Sequence, residues 1–204
     1  MEIIVYKVWK KIKLMNIFYL DKDPITSAEM HCDKHVVKMI IEYAQLLSTA
    51  HRVLDGVEQA GLTKNKRKYK RYVLNSNLEN ILYKSTMINH PSAIWVRKSV
   101  YNYQYTAKLW AALSHEYTYR YGKIHSTYSK LKDVLLISPL NAPDVPFFDP
   151  PPAMSHFPTC IVPNNSLHSY YNYYIVAKNY FAKWTKRPIP EWYSKGIKTK
   201  ELYV

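Results

Sequence analysis

The chain has 204 residues with a hydrophobic fraction of 48%, enough to bury a core and to exclude wholesale disorder. Four glycines exclude the many tight turns of an all-β sandwich or barrel, and apolar runs such as VVKMII are too short and too charged to span a bilayer. A formal net charge of +14, carried beside 20 tyrosines and 5 tryptophans, favours a polyanionic partner with unpaired bases to stack on; a basic surface kept for solubility alone is the competing reading.

Residues 1–14 hold a basic stretch without the ordering of a signal peptide, and are read as an extension or as a start placed too early, since Met15 opens a more domain-like MNIFYL. That segment reads as a short strand or extended entry, stopped by DKDP. Thr26 or Ser27 then caps a long helix over 27–54, which DG at 55–56 ends. Residues 64–71, KNKRKYKR, are Lys, Arg and Tyr with one Asn, a solvated basic loop or arm carrying Lys66, Arg67 and Lys68. A short helix is expected over 77–88.

A second long helix is expected over 89–122, capped by Asn89 or His90, with Pro91 at its first position and Gly122 at its end. One more amphipathic helix follows over 125–137. Most of the prolines fall within 139–163, an irregular stretch too aromatic for a free linker. Asn165 or Ser166 caps a last helix to about Lys186, and a basic, aromatic tail closes the chain. The fold class is mainly α: a single-domain helical bundle over 15–204 with a long Pro-rich irregular segment.

Chemistry concentrates in HCDKHVVKMIIEYAQLL, residues 31–47. At about 100° per residue, His31, His35, Lys38, Glu42, Gln45 and Thr49 fall within an arc of about 80°, and the remainder of the helix is largely apolar. Asp33, Lys34 and His51 lie off this strip. Two readings fit it, a lined cleft or the solvent face of an amphipathic helix. In a cleft, Lys38 and Glu42 at i, i+4 can pair, and burial would bring either toward neutrality for nucleophilic or acid–base work. His35 and His31 are further candidates for catalysis. These two histidines could also share an ion, but Lys38 beside them repels a cation and no third ligand is evident, so no metal is expected.

Two more groups suit a nucleic acid. Asn89, His90, Trp95 and Arg97 surround a helix N-terminus of the kind that holds phosphate, and an ordinary Pro-initiated helix with a core Trp reads the same residues. The final helix interleaves tyrosines and Trp184 with Lys178, Lys183 and Arg187, a surface for DNA, RNA or a protein partner. Cys32 and Cys160 fit no metal-ligand or redox spacing and read as free thiols of a reducing compartment, with a lone disulfide as the alternative. A cytoplasmic protein is expected, in the host cytoplasm for a virus or phage.

The stretch CDKHVVKMIIEYAQLL resembles the pattern L-D-x-x-x-L-x-K-x-x-x-E-x-x-Q-x-L of the pyrimidine-dimer DNA glycosylase family (endonuclease V type) and its small phage and bacterial relatives. The match falls on Asp33, Lys38, Glu42, Gln45 and Leu47, with one residue fewer between Asp33 and Lys38. NHPSAIW followed by YNYQYTAKLWAAL is similar to a second block of that family, and PEWYSKGI to its aromatic, basic C-terminus. The resemblance implies an all-α DNA-repair fold without metal or organic cofactor, in which an amine attacks the sugar C1′ to form an imine and Glu42 assists as acid–base. The phage enzymes use an N-terminal amine. This chain departs from them there, which leaves Lys38 as the available amine. A non-catalytic viral or phage nucleic-acid-binding protein, or a base-modifying or nucleotide-acting enzyme on a related scaffold, is the alternative.

Overall fold

In the computed structural model the residues described are 15–62 and 65–201; the expected extension over 1–14 lies outside them. Among the described residues the fold is mainly α, with eight helices and one two-stranded antiparallel sheet. Residues 15–20 form an extended, wholly buried entry rather than a strand. The Asp23 carboxylate accepts from the Thr26 N–H at 2.7 Å and caps α1 (Pro24–Met30), whose first position is the proline.

The helix expected over 27–54 is two helices. His31 and Cys32 are extended, and α2 (Asp33–Asp55) starts afresh beyond them. No Gly or Pro makes this break. Its cause is tertiary: the Asp33 N–H donates to the Lys183 carbonyl at 2.8 Å. The Asp33 carboxylate accepts from the Thr185 N–H, the Thr185 hydroxyl and Arg120. Val36, Met39, Ile40, Tyr43, Ala44, Leu46 and Leu47 of α2 are fully buried, so α2 is the axis of the core.

The expected basic loop is instead a hairpin, β1 (Val57–Leu62) and β2 (Lys68–Val73), in register Val57 with Val73 and Leu62 with Lys68. Its charge pattern hid the strands, because an exposed ribbon needs no apolar alternation. Arg52, fully buried, ties its root to α2: the guanidinium donates to the carbonyls of Tyr72, Glu79, Leu82 and Tyr83 and pairs with the Glu79 carboxylate. The short helix is α3 (Leu78–Ile81).

The helix expected over 89–122 also divides. His90 caps α4 (Pro91–Arg97), its ring accepting from the Ser92 N–H, and Ser99 caps α5 (Val100–Tyr121), accepting from Tyr101 and Asn102. Gly122 ends α5 at φ 68°, the left-handed conformation a glycine adopts without strain. Next come α6 (Ser126–Leu135) and the irregular Pro-rich stretch, which contains one 3₁₀ turn (Pro158–Cys160). This stretch packs back on the helices, its Phe148 and Pro151 carbonyls accepting from the Trp95 indole and the Tyr170 hydroxyl. The last expected helix stops early, as α7 (Ser166–Ala177), and a further helix, α8 (Glu191–Glu201), lies in what reads as a tail.

Arg120 joins three of these pieces. Its buried guanidinium donates to Asp33 at 2.8 Å, to Glu116 at 2.6 Å and to the Glu29 carbonyl at 3.0 Å. Arg120→Met leaves the buried Glu116 with Arg187 alone and Asp33 without its cation. It is expected to cost about 3 kcal/mol in urea unfolding, and a loss below about 1 kcal/mol would contradict this account of the break before α2.

Candidate active site

Restarting the helix at Asp33 takes His31 off the polar strip of α2. Lys38, Glu42 and Gln45 stay together on one face of α2 and, with Met15 and Ile41, line an open pocket of about 250 Å³. Lys38 Nζ is 2.9 Å from Glu42 Oε1; the lysine side chain is 59% exposed and the glutamate 16%. A carboxylate mostly withdrawn from water is held there by an ammonium that still reaches solvent.

The other strip residues turn inward. Thr49 is buried and accepts from the Thr86 N–H. His31 is fully buried in the break between α1 and α2. Its Nδ1 faces the Ser27 carbonyl at 2.7 Å, so that nitrogen carries the hydrogen and Nε2 accepts from the Tyr43 hydroxyl at 3.3 Å. The Tyr43 oxygen accepts in turn from the Phe18 N–H at 3.0 Å. His31 thus stitches the entry segment to the core and does not line the pocket. Burial pulls its pKa down to about 4, against the Ser27 hydrogen bond. His35 is also buried, hydrogen-bonded through Nδ1 to the Tyr174 hydroxyl and stacked on Phe18 at 4.1 Å; burial, then His31, Lys178 and Lys38, hold its pKa well down.

Sequence reasoning assigned Lys178 to a nucleic-acid surface, yet it belongs with this group. It sits just past α7, is 8% exposed, and its Nζ lies 4.4 Å from the centre of the Tyr173 ring. Burial and then the charge of Lys38 lower its pKa to about 8, with Cys32 and Glu42 opposing. Two lysines and a glutamate therefore share one electrostatic neighbourhood. The termination of α7 at Ala177 sets Lys178 there, a boundary that the run of tyrosines did not reveal. Cys32, buried beside them, has its thiol pushed up to about 11 by burial.

The remaining candidates for nucleic-acid contact are dispersed. Lys66, Arg67 and Lys68 are exposed on the hairpin, where Lys66 adopts the left-handed conformation at φ 57°. On the same ribbon Arg71 lies over the Tyr69 ring at 5.2 Å and Lys70 pairs with Glu58 at 2.7 Å. Asn89 is exposed beside the partly buried His90 cap, and Arg97 donates to the Ile88 carbonyl at 2.6 Å. Trp95 is core, as is Trp184, whose indole donates to the Met30 carbonyl at 2.8 Å. Lys183 is exposed. Arg187 is committed to carboxylates, forming a two-pronged contact with Glu116 and an ion pair with Glu29.

Among the described residues no group of three or more His, Cys, Asp or Glu is arranged to hold a metal ion, and no helix is long and apolar enough to cross a membrane. No known family model, characterised protein or solved structure matches the chain.

The buried histidines make stability depend on acid. For His31 the folded pKa, about 4, lies below the ordinary value of 6.5, so between those values the unfolded chain binds more protons. Its stabilising contribution is complete above pH 6.5 and is lost as pH falls toward 4, by about 3 kcal/mol in all. Urea unfolding at pH 7 and pH 4 is expected to show at least this loss. A His31 ring resonance titrating with an unshifted midpoint in the folded protein would contradict it.

Proposed function

We propose that the chain is a DNA-binding enzyme that acts on a base or its N-glycosidic bond through imine chemistry, with Lys38 as the attacking amine and Glu42 as the acid–base residue. The observation that carries this reading is the Lys38–Glu42 contact of 2.9 Å on the wall of an open pocket. As Lys38 Nζ bonds to C1′, the bond from C1′ to the base breaks. Glu42 first takes a proton from the Lys38 ammonium to free its lone pair and gives that proton to the departing base. It then takes a second proton from the bonded nitrogen and passes it to the ring oxygen as the sugar opens. Opening of the sugar ring then leaves the imine, and proton abstraction by Glu42 allows β-elimination of the strand. Lys178, its pKa lowered to about 8, stays mostly charged at about pH 7, adds positive potential toward the phosphates and is a second amine in the same neighbourhood.

Three further features support a DNA substrate. The net charge of +14 favours a polyanion. A basic hairpin projects exposed lysines and arginines beside tyrosine rings. Lys38, Glu42 and Gln45, three of the five residues in the resemblance to the pyrimidine-dimer glycosylases, are also the polar residues of the pocket. A target base would have to leave the stack to reach Glu42.

The exposed hairpin equally favours the second reading, a non-catalytic nucleic-acid-binding protein. One experiment separates the two. Duplexes carrying an abasic site or ultraviolet photoproducts are incubated with wild type, Glu42→Gln, Lys38→Met and Lys178→Met, with borohydride present. The enzyme reading expects a covalent adduct with wild type, its loss in Lys38→Met and a drop of about 100-fold or more in Glu42→Gln. Duplex binding should survive both substitutions. Tight, salt-sensitive binding with no adduct and no nicking by any form establishes the binding protein instead. Adduct retained by Lys38→Met and lost in Lys178→Met transfers the nucleophile to Lys178.

A further inference from the structure

A second cavity, of about 410 Å³, opens at the other end of α2, between the last turns of α2 and α6 and the residues that follow β2. Leu74, Leu78 and Val134 give it apolar walls, and its size falls in the range of small-molecule sites. His51 and Asp55 of α2 and Asp133 of α6 supply the polar atoms.

The hydrogen bonds fix what His51 presents. Its Nε2 faces the Ile137 carbonyl at 3.1 Å, and a carbonyl only accepts, so Nε2 carries the hydrogen. The Tyr103 oxygen is 2.9 Å from the same nitrogen, while the Tyr103 hydroxyl donates to the Leu135 carbonyl. Nδ1 is left with a lone pair. His51 is 3% exposed, and no group among the described residues hydrogen-bonds that nitrogen.

The nearest charged atom to Nδ1 is itself an acceptor, Asp55 Oδ2 at 3.8 Å. Asp55 Oδ1 accepts from the Asn141 N–H and side-chain amide, and Oδ2 accepts from the Leu140 N–H, which leaves one acceptor position on Oδ2. Two acceptors facing one another are both satisfied by a donor with at least two hydrogens, a water or an ammonium. A nitrogen about 2.9 Å from each would span the gap with an angle of about 80°, within reach of an ammonium.

The surroundings select charge. The cavity sits at the C-terminal ends of two helices, where the partial negative charge of each macrodipole adds to Asp55 and Asp133. Of the cations in the same helix turns, Arg52 is engaged by the carbonyls of Tyr72, Glu79, Leu82 and Tyr83 and by the Glu79 carboxylate, and Lys132 is not among the lining residues. Burial lowers the His51 pKa against the pull of Asp55, which favours the neutral, accepting ring. The donor set does not suit a metal ion, and the apolar walls suit an organic one.

We propose that this cavity binds a primary ammonium carried on an apolar stem, which donates to His51 Nδ1 and Asp55 Oδ2 in the field of Asp133. The cation comes either from a free small amine or from a lysine side chain of a partner.

The test titrates the full chain with n-hexylammonium, with hexan-1-ol as its uncharged counterpart and with Nα-acetyl-lysine methylamide, while the His51 ring nitrogens are followed by NMR. Hexylammonium is expected to shift Nδ1 saturably in the millimolar range, and hexanol at the same concentration is not. Asp133→Asn, an exposed change that should leave the melting temperature alone, is expected to weaken hexylammonium about fivefold. Equal binding of hexanol, an unchanged affinity in Asp133→Asn, or no saturable shift at Nδ1 overturns the proposal. Given hexylammonium binding, tighter or equal binding of the lysine derivative assigns the site to a protein side chain, and weaker binding assigns it to a free amine.

Discussion

One carboxylate, Asp33, decides where the central helix begins, and the rest of the molecule is arranged from that point. Burial alone would raise its pKa; the hydrogen bonds from Thr185 and Arg120 outweigh burial and hold the group ionised below its usual range. The charge is answered by Arg120, Arg120 by Glu116, and Glu116 by Arg187, so α2, α5 and the stretch after α7 are tied at one corner. A network of this kind adds little net stability over an apolar corner, yet it fixes a unique geometry, because any slip leaves a buried charge unanswered. The phase of α2 follows, and with it the choice of which residues reach water.

That phase separates two uses of histidine and tyrosine. The wealth of tyrosine in the sequence suggests a stacking surface, but Tyr43, Tyr103, Tyr170, Tyr173 and Tyr174 are all buried. The hydroxyls of Tyr43, Tyr103, Tyr170 and Tyr174 are held by carbonyls, ring nitrogens and main-chain amides, as in the chain from Ser27 through His31 and Tyr43 to Phe18. Buried polar groups have to be satisfied, and here long aromatic side chains do so while also filling volume. The aromatic excess is in good part the way this core is built. The charge excess remains on the surface and is the stronger indication of a partner.

Much of the fold is legible in the sequence because helical periodicity and caps are local. His90 and Pro91, Gly122, and Asn165 before α7 all act where the sequence puts them. The breaks at residues 31–32 and 98–99 are not legible, since they depend on partners far along the chain: Lys183 and Thr185 for the first, Val145 for the second, whose carbonyl accepts from the Ser99 cap. Nor is α8, where Gly196 argues against a helix. A Cβ there would come within 2.2 Å of Ile175 Cδ1, so the glycine lets α8 close on α7. At the site, Lys38, Glu42 and Gln45 were visible as a strip. The inward turn of His31 and His35 was not, nor was the approach of Lys178 from the other end of the chain.

The two ends of α2 carry opposite chemistry, and the helix itself keeps them apart. Glu42 and His51 are nine residues from one another, about 13 Å along the axis. That exceeds the screening length of about 8 Å at physiological ionic strength, and each site opens to solvent. A charge introduced at one is therefore felt weakly at the other through water. The middle of the helix offers little else, since the residues between them are mostly buried and apolar. The Lys38–Glu42 pocket answers to the positive exterior of the protein. The cavity at His51 is a local reversal of that field, made by two helix C-termini and two carboxylates. Binding at one end is then energetically separate from chemistry at the other unless α2 moves as a body, which the Asp33 corner and the Arg52 clamp both resist.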